Sequence, residues 1–226
     1  MNMMNVSSVE RAQRGLARVW IDFESALVQV PVIARLTNGT LRIEDYRSLL
    51  LNLRQQVVEG SRWIGRAASN LSPEHEQLRS LFVKHTAAEH RDFLLLERDF
   101  AAAGGDPALM AVTPKNIGSE ALSAFMYYTA SRPDPLGMLG AMFIIEGLGH
   151  RLAEPWAQAI QQQLSLGDDA VRGETGGRDR AGVDIDVAAV AAVAAGEEVD
   201  ALAQVHGARG GAVGEGVDED RRNAEQ

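Results

Sequence analysis

Cysteine is absent from all 226 residues. That removes disulfides, thiolate metal sites, iron–sulfur clusters and cysteine nucleophiles from consideration. Long apolar runs are also missing: the longest, Met138 to Ile145, is interrupted by Gly140 and is too short to span a bilayer. The opening stretch MNMMNVSSVERAQRG has no apolar core of a signal peptide. No basic stripe interleaved with aromatics occurs, so nucleic-acid binding has no electrostatic footprint. These absences lead to the expectation of a soluble, cytoplasmic protein that engages neither nucleic acid nor membrane.

The charge is −9 overall, but it is unevenly spread. Residues 167–226 carry 14 acidic and 6 basic side chains, which leaves residues 1–166 near neutrality. Those last sixty residues hold no Phe, Trp, Tyr, Pro, Met or Lys and a single Leu, too little apolar surface to offset chain entropy. Gly, Ala, Val, Asp and Glu make up 47 of the 60. All five have codons beginning with G, so two readings stand side by side: a disordered acidic tail, or an out-of-frame reading of a GC-rich gene. The 14 Arg against 2 Lys of residues 1–166 favour a GC-rich origin. The expected division is a helical domain over 1–168 and a low-complexity tail over 169–226.

The body reads as helices. Leu16, Val19, Trp20, Phe23, Leu27 and Val30 recur at helical spacing from about Val9 to Val30, where Pro31 restricts the end. A second helix is expected from Ile43 to about Ser69. A third runs from Ser72-Pro73, a capping residue with proline at the first helical position, to the stop Gly104-Gly105-Asp106-Pro107. Gly118 to Arg132 forms a shorter helix, and Leu136 to Leu166 a long one, rich in Gly, Ala and Met and kinked at Pro155. No period-2 strand pattern occurs before residue 167, so the fold class is all-α.

The chemistry concentrates on three of these helices. His85, Glu89 and Asp92 fall at i, i+4 and i+7 of the third and share one face. Glu146 and His150 are i and i+4 on the small-residue helix, where a carboxylate after Phe143-Ile144-Ile145 needs a counter-ion, a hydrogen bond or a metal. Glu59 sits mid-helix beside Val57, Val58, Trp63 and Ile64. Carboxylates from three helices with imidazole support suit iron or manganese in a bundle core. The bland alternatives are a solvated face for Glu89 and Asp92, near Arg91 and Arg98, and ordinary surface or core-edge histidines for His85 and His150. His75, His90 and His206 read as exposed.

The run HTAAEHRDFLLLERDFAAAGGD, preceded by a helix with a mid-helix Glu and followed by the helix bearing Glu146, resembles the iron-containing redox enzymes of the haem-oxygenase-like superfamily. The resemblance covers about residues 10 to 168. It implies an all-α, haem-oxygenase-like helical bundle holding a non-haem diiron centre that activates O2. It places Glu59 at the family's first Glu, Glu89 at its second, and Glu146 at an additional carboxylate. Asp92 stands where the family usually has His. The family's late helix with its His…Asp…His set would follow Leu166, but the next histidine in this chain is His206. The function implied is an oxidase or oxygenase acting on a small organic or acyl substrate, impaired here by loss of the last ligand helix. Its expected partners are a small-molecule substrate and O2, and homodimerisation is left open. The alternative reading is a metal-free bundle that binds a small ligand or a partner helix through its Gly- and Met-rich helix. Hydrolysis of the thiaminase kind lacks its cysteine nucleophile.

Overall fold

The computed structural model describes residues 7–171, and these are all helix and connecting turns. The low-complexity tail, the Ala/Val helix expected at 187–195 and the stretch after Leu166 where the resemblance would put its late ligand helix lie, from residue 172 on, outside the described residues. No helix among the described residues is long and apolar enough to cross a membrane.

Eight α-helices follow in order: α1 (Ser8–Leu27), α2 (Pro31–Thr37), α3 (Ile43–Asn70), α4 (Glu76–Glu89), α5 (Phe93–Ala102), α6 (Pro107–Val112), α7 (Ile117–Ala130) and α8 (Gly137–Leu164). Their ends follow from side chains that satisfy free backbone groups. Ser7 and Glu10 close a capping box on α1, and Asp45 accepts from Arg42 N at the start of α3. Asp106 accepts from Ala108 N on α6, and Asn116 from Ser119 N on α7. Gly104, at φ +76°, turns the chain out of α5 in a conformation that side chains rarely tolerate.

Three expectations need correction. Pro31 starts α2 instead of merely ending the first helix, because proline at the first helical position is pre-set for it. Asp106-Pro107, expected as a stop, also caps a helix, α6. Most consequentially, the third helix is two: α4 ends at Glu89 and α5 begins at Phe93. The exposed His90 ring places Nδ1 2.8 Å from Ala87 O, the carbonyl that Arg91 N–H would take in a continuous α-helix. Through the turn, bonds run three residues apart: Asp92 N to Glu89 O, Leu94 N to Arg91 O and Leu95 N to Asp92 O. The helix from Leu136 to Leu166, by contrast, continues through Pro155 as α8.

The apolar residues form two cores. One gathers Trp63, Ile64 and Ala67 of α3, Leu78 and Phe82 of α4, Met126 of α7, and Met138 and Met142 of α8. The other gathers Tyr46 and Leu50 of α3, Leu96 and Phe100 of α5, and Ala157 and Ile160 of α8. Thus α3 and α8 run through both cores, while the α4–α5 break falls between them. Arg47 and Arg54 tie α3 to α5, through Ala103 O at 2.7 Å and Glu97 at 2.8 Å. The N-terminal helix packs on α8 where Trp20 lies over Gly147; a Cβ there would meet the indole at 2.6 Å.

Candidate functional site

Between the two cores the long elements change from apolar to ionisable residues. Glu59 lies between Leu50 and Trp63 on α3, His85 and Glu89 follow Phe82 on α4, Asp92 precedes Leu96, and Glu146 follows Met142 on α8. This waist between the cores holds the candidate site.

His85 is 2% exposed, and its Nε2 lies 3.2 Å from Glu146 Oε1. The contact is off-line for a hydrogen bond, and Nδ1 is buried as well, so neither ring nitrogen has a hydrogen-bond partner among the described residues. Burial favours the neutral ring, but the Glu146 carboxylate, with Glu89 and Asp92 adding to it, raises the imidazole's pKa above its usual range. Glu146 is 39% exposed at its side chain, so the contact joins a buried base to a solvent-facing acid.

Glu89 and Asp92 act as a pair. Residues three apart eclipse one another in a tight i→i+3 turn, so the broken helix stacks these two carboxyls where a regular one would offset them. Burial, the Asp92 charge and a hydrogen bond with Asp92, and the Glu146 charge push Glu89 up to about 7, against a smaller opposing pull from His85. A shared proton is the physical reason two carboxylates can stand together here.

Glu59 has different partners. Lys115 Nζ lies 2.9 Å from Oε1, and Tyr127 donates to Oε2 at 2.5 Å, with Arg62 3.6 Å away. Burial pulls its pKa upward, but the Tyr127 and Lys115 hydrogen bonds and the two positive charges outweigh it and hold Glu59 below the ordinary range. Burial and the Glu59 contact push Tyr127 up to about 12. His150 is exposed, and no described residue binds it. The structure therefore brings His85, Glu89, Asp92 and Glu146 together, engages Glu59 with Lys115 and Tyr127, and leaves His150 on the surface. The shared face expected of His85, Glu89 and Asp92 on one helix is corrected to a tight turn that reaches the same neighbourhood.

Sequence reasoning did not find Lys115 and Tyr127 as partners for Glu59, and no local spacing could have, since they lie 56 and 68 residues away. Asp99 was also missed. It is fully buried on α5 beside Phe100 and Leu96, and its i+3 spacing from Leu96 was the available signal. It is not an isolated charge.

The donors suit a hard or borderline cation by type: one buried imidazole whose nitrogens form no hydrogen bond, the Glu89–Asp92 pair, and Glu146 close enough for its charge to act on Glu89. They are not drawn into a finished coordination sphere. Among the described residues no group of three or more His, Asp or Glu side chains is arranged to hold a metal ion.

No protein-family model matches the chain, and no curated protein matches it. Among solved structures, it is similar to the crystal structure of a domain of unknown function with a haem-oxygenase-like fold from Shewanella denitrificans. The TM-score is 0.66 over 92% of this chain and 97% of that one, at 16% identity. The likeness shows the fold, the haem-oxygenase-like helical one that the resemblance implied.

Proposed function

We propose that this haem-oxygenase-like domain binds one divalent metal ion, iron being the expected one, by drawing together His85, Glu89, Asp92 and Glu146, which are not yet arranged as a ligand set, and serves as an iron-dependent oxidoreductase for a small organic substrate. The observation that carries the reading is His85, a buried imidazole with neither nitrogen in a hydrogen bond, its Nε2 against one carboxylate and two more close by. A buried polar group without partners costs about 1–3 kcal/mol, which a ligand bond would recover. The stacked Glu89–Asp92 pair would give up its shared proton on cation arrival, so binding should release acid near neutrality.

The donor count supports one ion and not two. Glu59, the carboxylate that would extend the set, is held by Lys115 and Tyr127, and His150 faces solvent. When bound, iron would supply the redox chemistry with O2. The protein's own groups would hold the ion between α4, the α4–α5 turn and α8. The partly exposed Glu146 sets the side from which a small substrate could approach. The alternative of metal-free binding through the Gly- and Met-rich helix has less support, because Met138 and Met142 of α8 are buried in the first core.

Anaerobic Fe(II) titration followed by metal analysis tests the reading. Roughly one ion per chain, proton release on binding, and at least about 10-fold weaker binding in His85→Ala and Glu89→Ala are expected. No retained metal after anaerobic Fe(II) addition overturns it.

A further inference from the structure

Helix α7 buries Met126 and Ala130 in the first core, yet the rest of its buried side is polar and its outward side is apolar. Its inward residues include Ser119 and Ser123, 8% and 4% exposed, and the buried Ser123 hydroxyl has no partner. Polar bonds join that side to α3: Asn116 to Asn52 at 2.6 Å, Gln56 to Ser119 O at 2.7 Å and Tyr127 to Glu59. Its outward residues are apolar. Ile117 is 90% exposed, Phe125 59% and Tyr128 66%. With Ala121 they recur at i, i+4, i+8 and i+11, one continuous stripe along about 17 Å of helix. A helix that buries serines and exposes phenylalanine and isoleucine has the pattern of one covered from outside.

We propose that the cover is a second copy of this chain, with α7 packed antiparallel on its counterpart about a two-fold axis near Phe125. The charges at the ends of the stripe favour this occupant. Glu120 near the start of α7 and Arg132 just beyond its end are both exposed, and neither forms an ion pair among the described residues. Antiparallel pairing puts the acidic start of each stripe level with the basic end of the other copy's, the reciprocal charge match an isologous interface requires. Arg132 lies over the Tyr128 ring at 5.9 Å, so the charge is held at the rim of the apolar patch. Gly118, Ala121 and Ala124 on the outward side let two helix backbones approach closely, and Phe and Tyr supply the aromatic anchors that dominate association energies.

The test uses the full chain. Sedimentation or light scattering at micromolar concentration should give twice the 24.4 kDa chain mass. Phe125→Glu and Tyr128→Glu should weaken association at least about 10-fold, the effect expected of losing a central aromatic, while the circular dichroism spectrum is unchanged. Because the chain has no cysteine, Ala124→Cys provides a single handle that a short bismaleimide should join to its own copy. Val83→Cys, exposed on α4, should not cross-link. A monomeric wild type overturns the proposal, as does a dimer that both Glu variants leave intact. Cross-linking through Val83→Cys but not Ala124→Cys places the contact elsewhere and overturns it too.

Discussion

Tyr127 on α7 donates to Glu59 on α3 at 2.5 Å, and Lys115 closes the other carboxylate oxygen at 2.9 Å. A residue that the sequence places among metal ligands is thereby the anchor of a helix–helix contact. Tyr127→Phe removes one charge-assisted bond and leaves Lys115 in place, so a loss of about 1–2 kcal/mol is expected in urea denaturation. Iron binding should be unaffected within error, which separates Glu59 from the site.

Burial and the neighbouring Asp92 and Glu146 carboxylates push Glu89 up to about 7 in the folded chain, against an ordinary 4.5. A group with a raised folded pKa binds more protons folded than unfolded between those two values. Its favourable contribution is complete below about 4.5 and declines as pH rises toward 7. In chelator-treated protein, Glu89→Gln should therefore flatten the fall in melting temperature across that window. It should also raise stability at pH 8 by about 1–2 kcal/mol, after allowance for solvent screening. Parallel pH profiles of the two proteins would rule this out.

His85 sets stability against binding. Replacing the buried ring by leucine removes the nitrogen Nδ1, which has no partner, at similar volume but also the Nε2–Glu146 contact, so at pH 8, where the ring's charge contributes least, the metal-free protein should gain about 1 kcal/mol. The same His85→Leu variant should lose metal affinity. A destabilised apo-protein would show that the imidazole has a structural partner instead.

Two glycines of α8 should respond oppositely. At Gly147 an added methyl meets the rigid Trp20 indole at 2.6 Å, so Gly147→Ala should destabilise by about 1–3 kcal/mol. At Gly140 a Cβ meets nothing within 4 Å. Gly140→Ala there should instead stabilise by about 0.5–1 kcal/mol through helix propensity. Thermal melts of the pair decide it.

Much of the bundle was legible because periodicity and caps are local. Apolar spacing carried α1, α3, α7 and α8, and the all-α class followed. The same capping-plus-proline rule that marked Ser72-Pro73 was present at Asp106-Pro107 and, as proline alone, at Pro31, yet those were read as stops because a proline ends one helix as readily as it begins another. The break at His90 was not legible: it depends on a ring competing for one carbonyl, which no periodicity records. At the site, Glu89 and Glu146 were found because carboxylates among apolar neighbours are conspicuous. The fate of Glu59 was not, because Lys115 and Tyr127 reach it only through the packing of α7 on α3.

The division of the apolar interior has a consequence for cooperativity. Leu78 and Phe82 belong to one core and Leu96 and Phe100 to the other, and only α3 and α8 pass through both. Truncations in different cores should therefore add, because they share no neighbours, whereas each should couple to changes at the ionisable waist. Amide hydrogens of α4 and α5, adjacent in the chain, should exchange as members of two different opening units, with the boundary at His90 to Asp92.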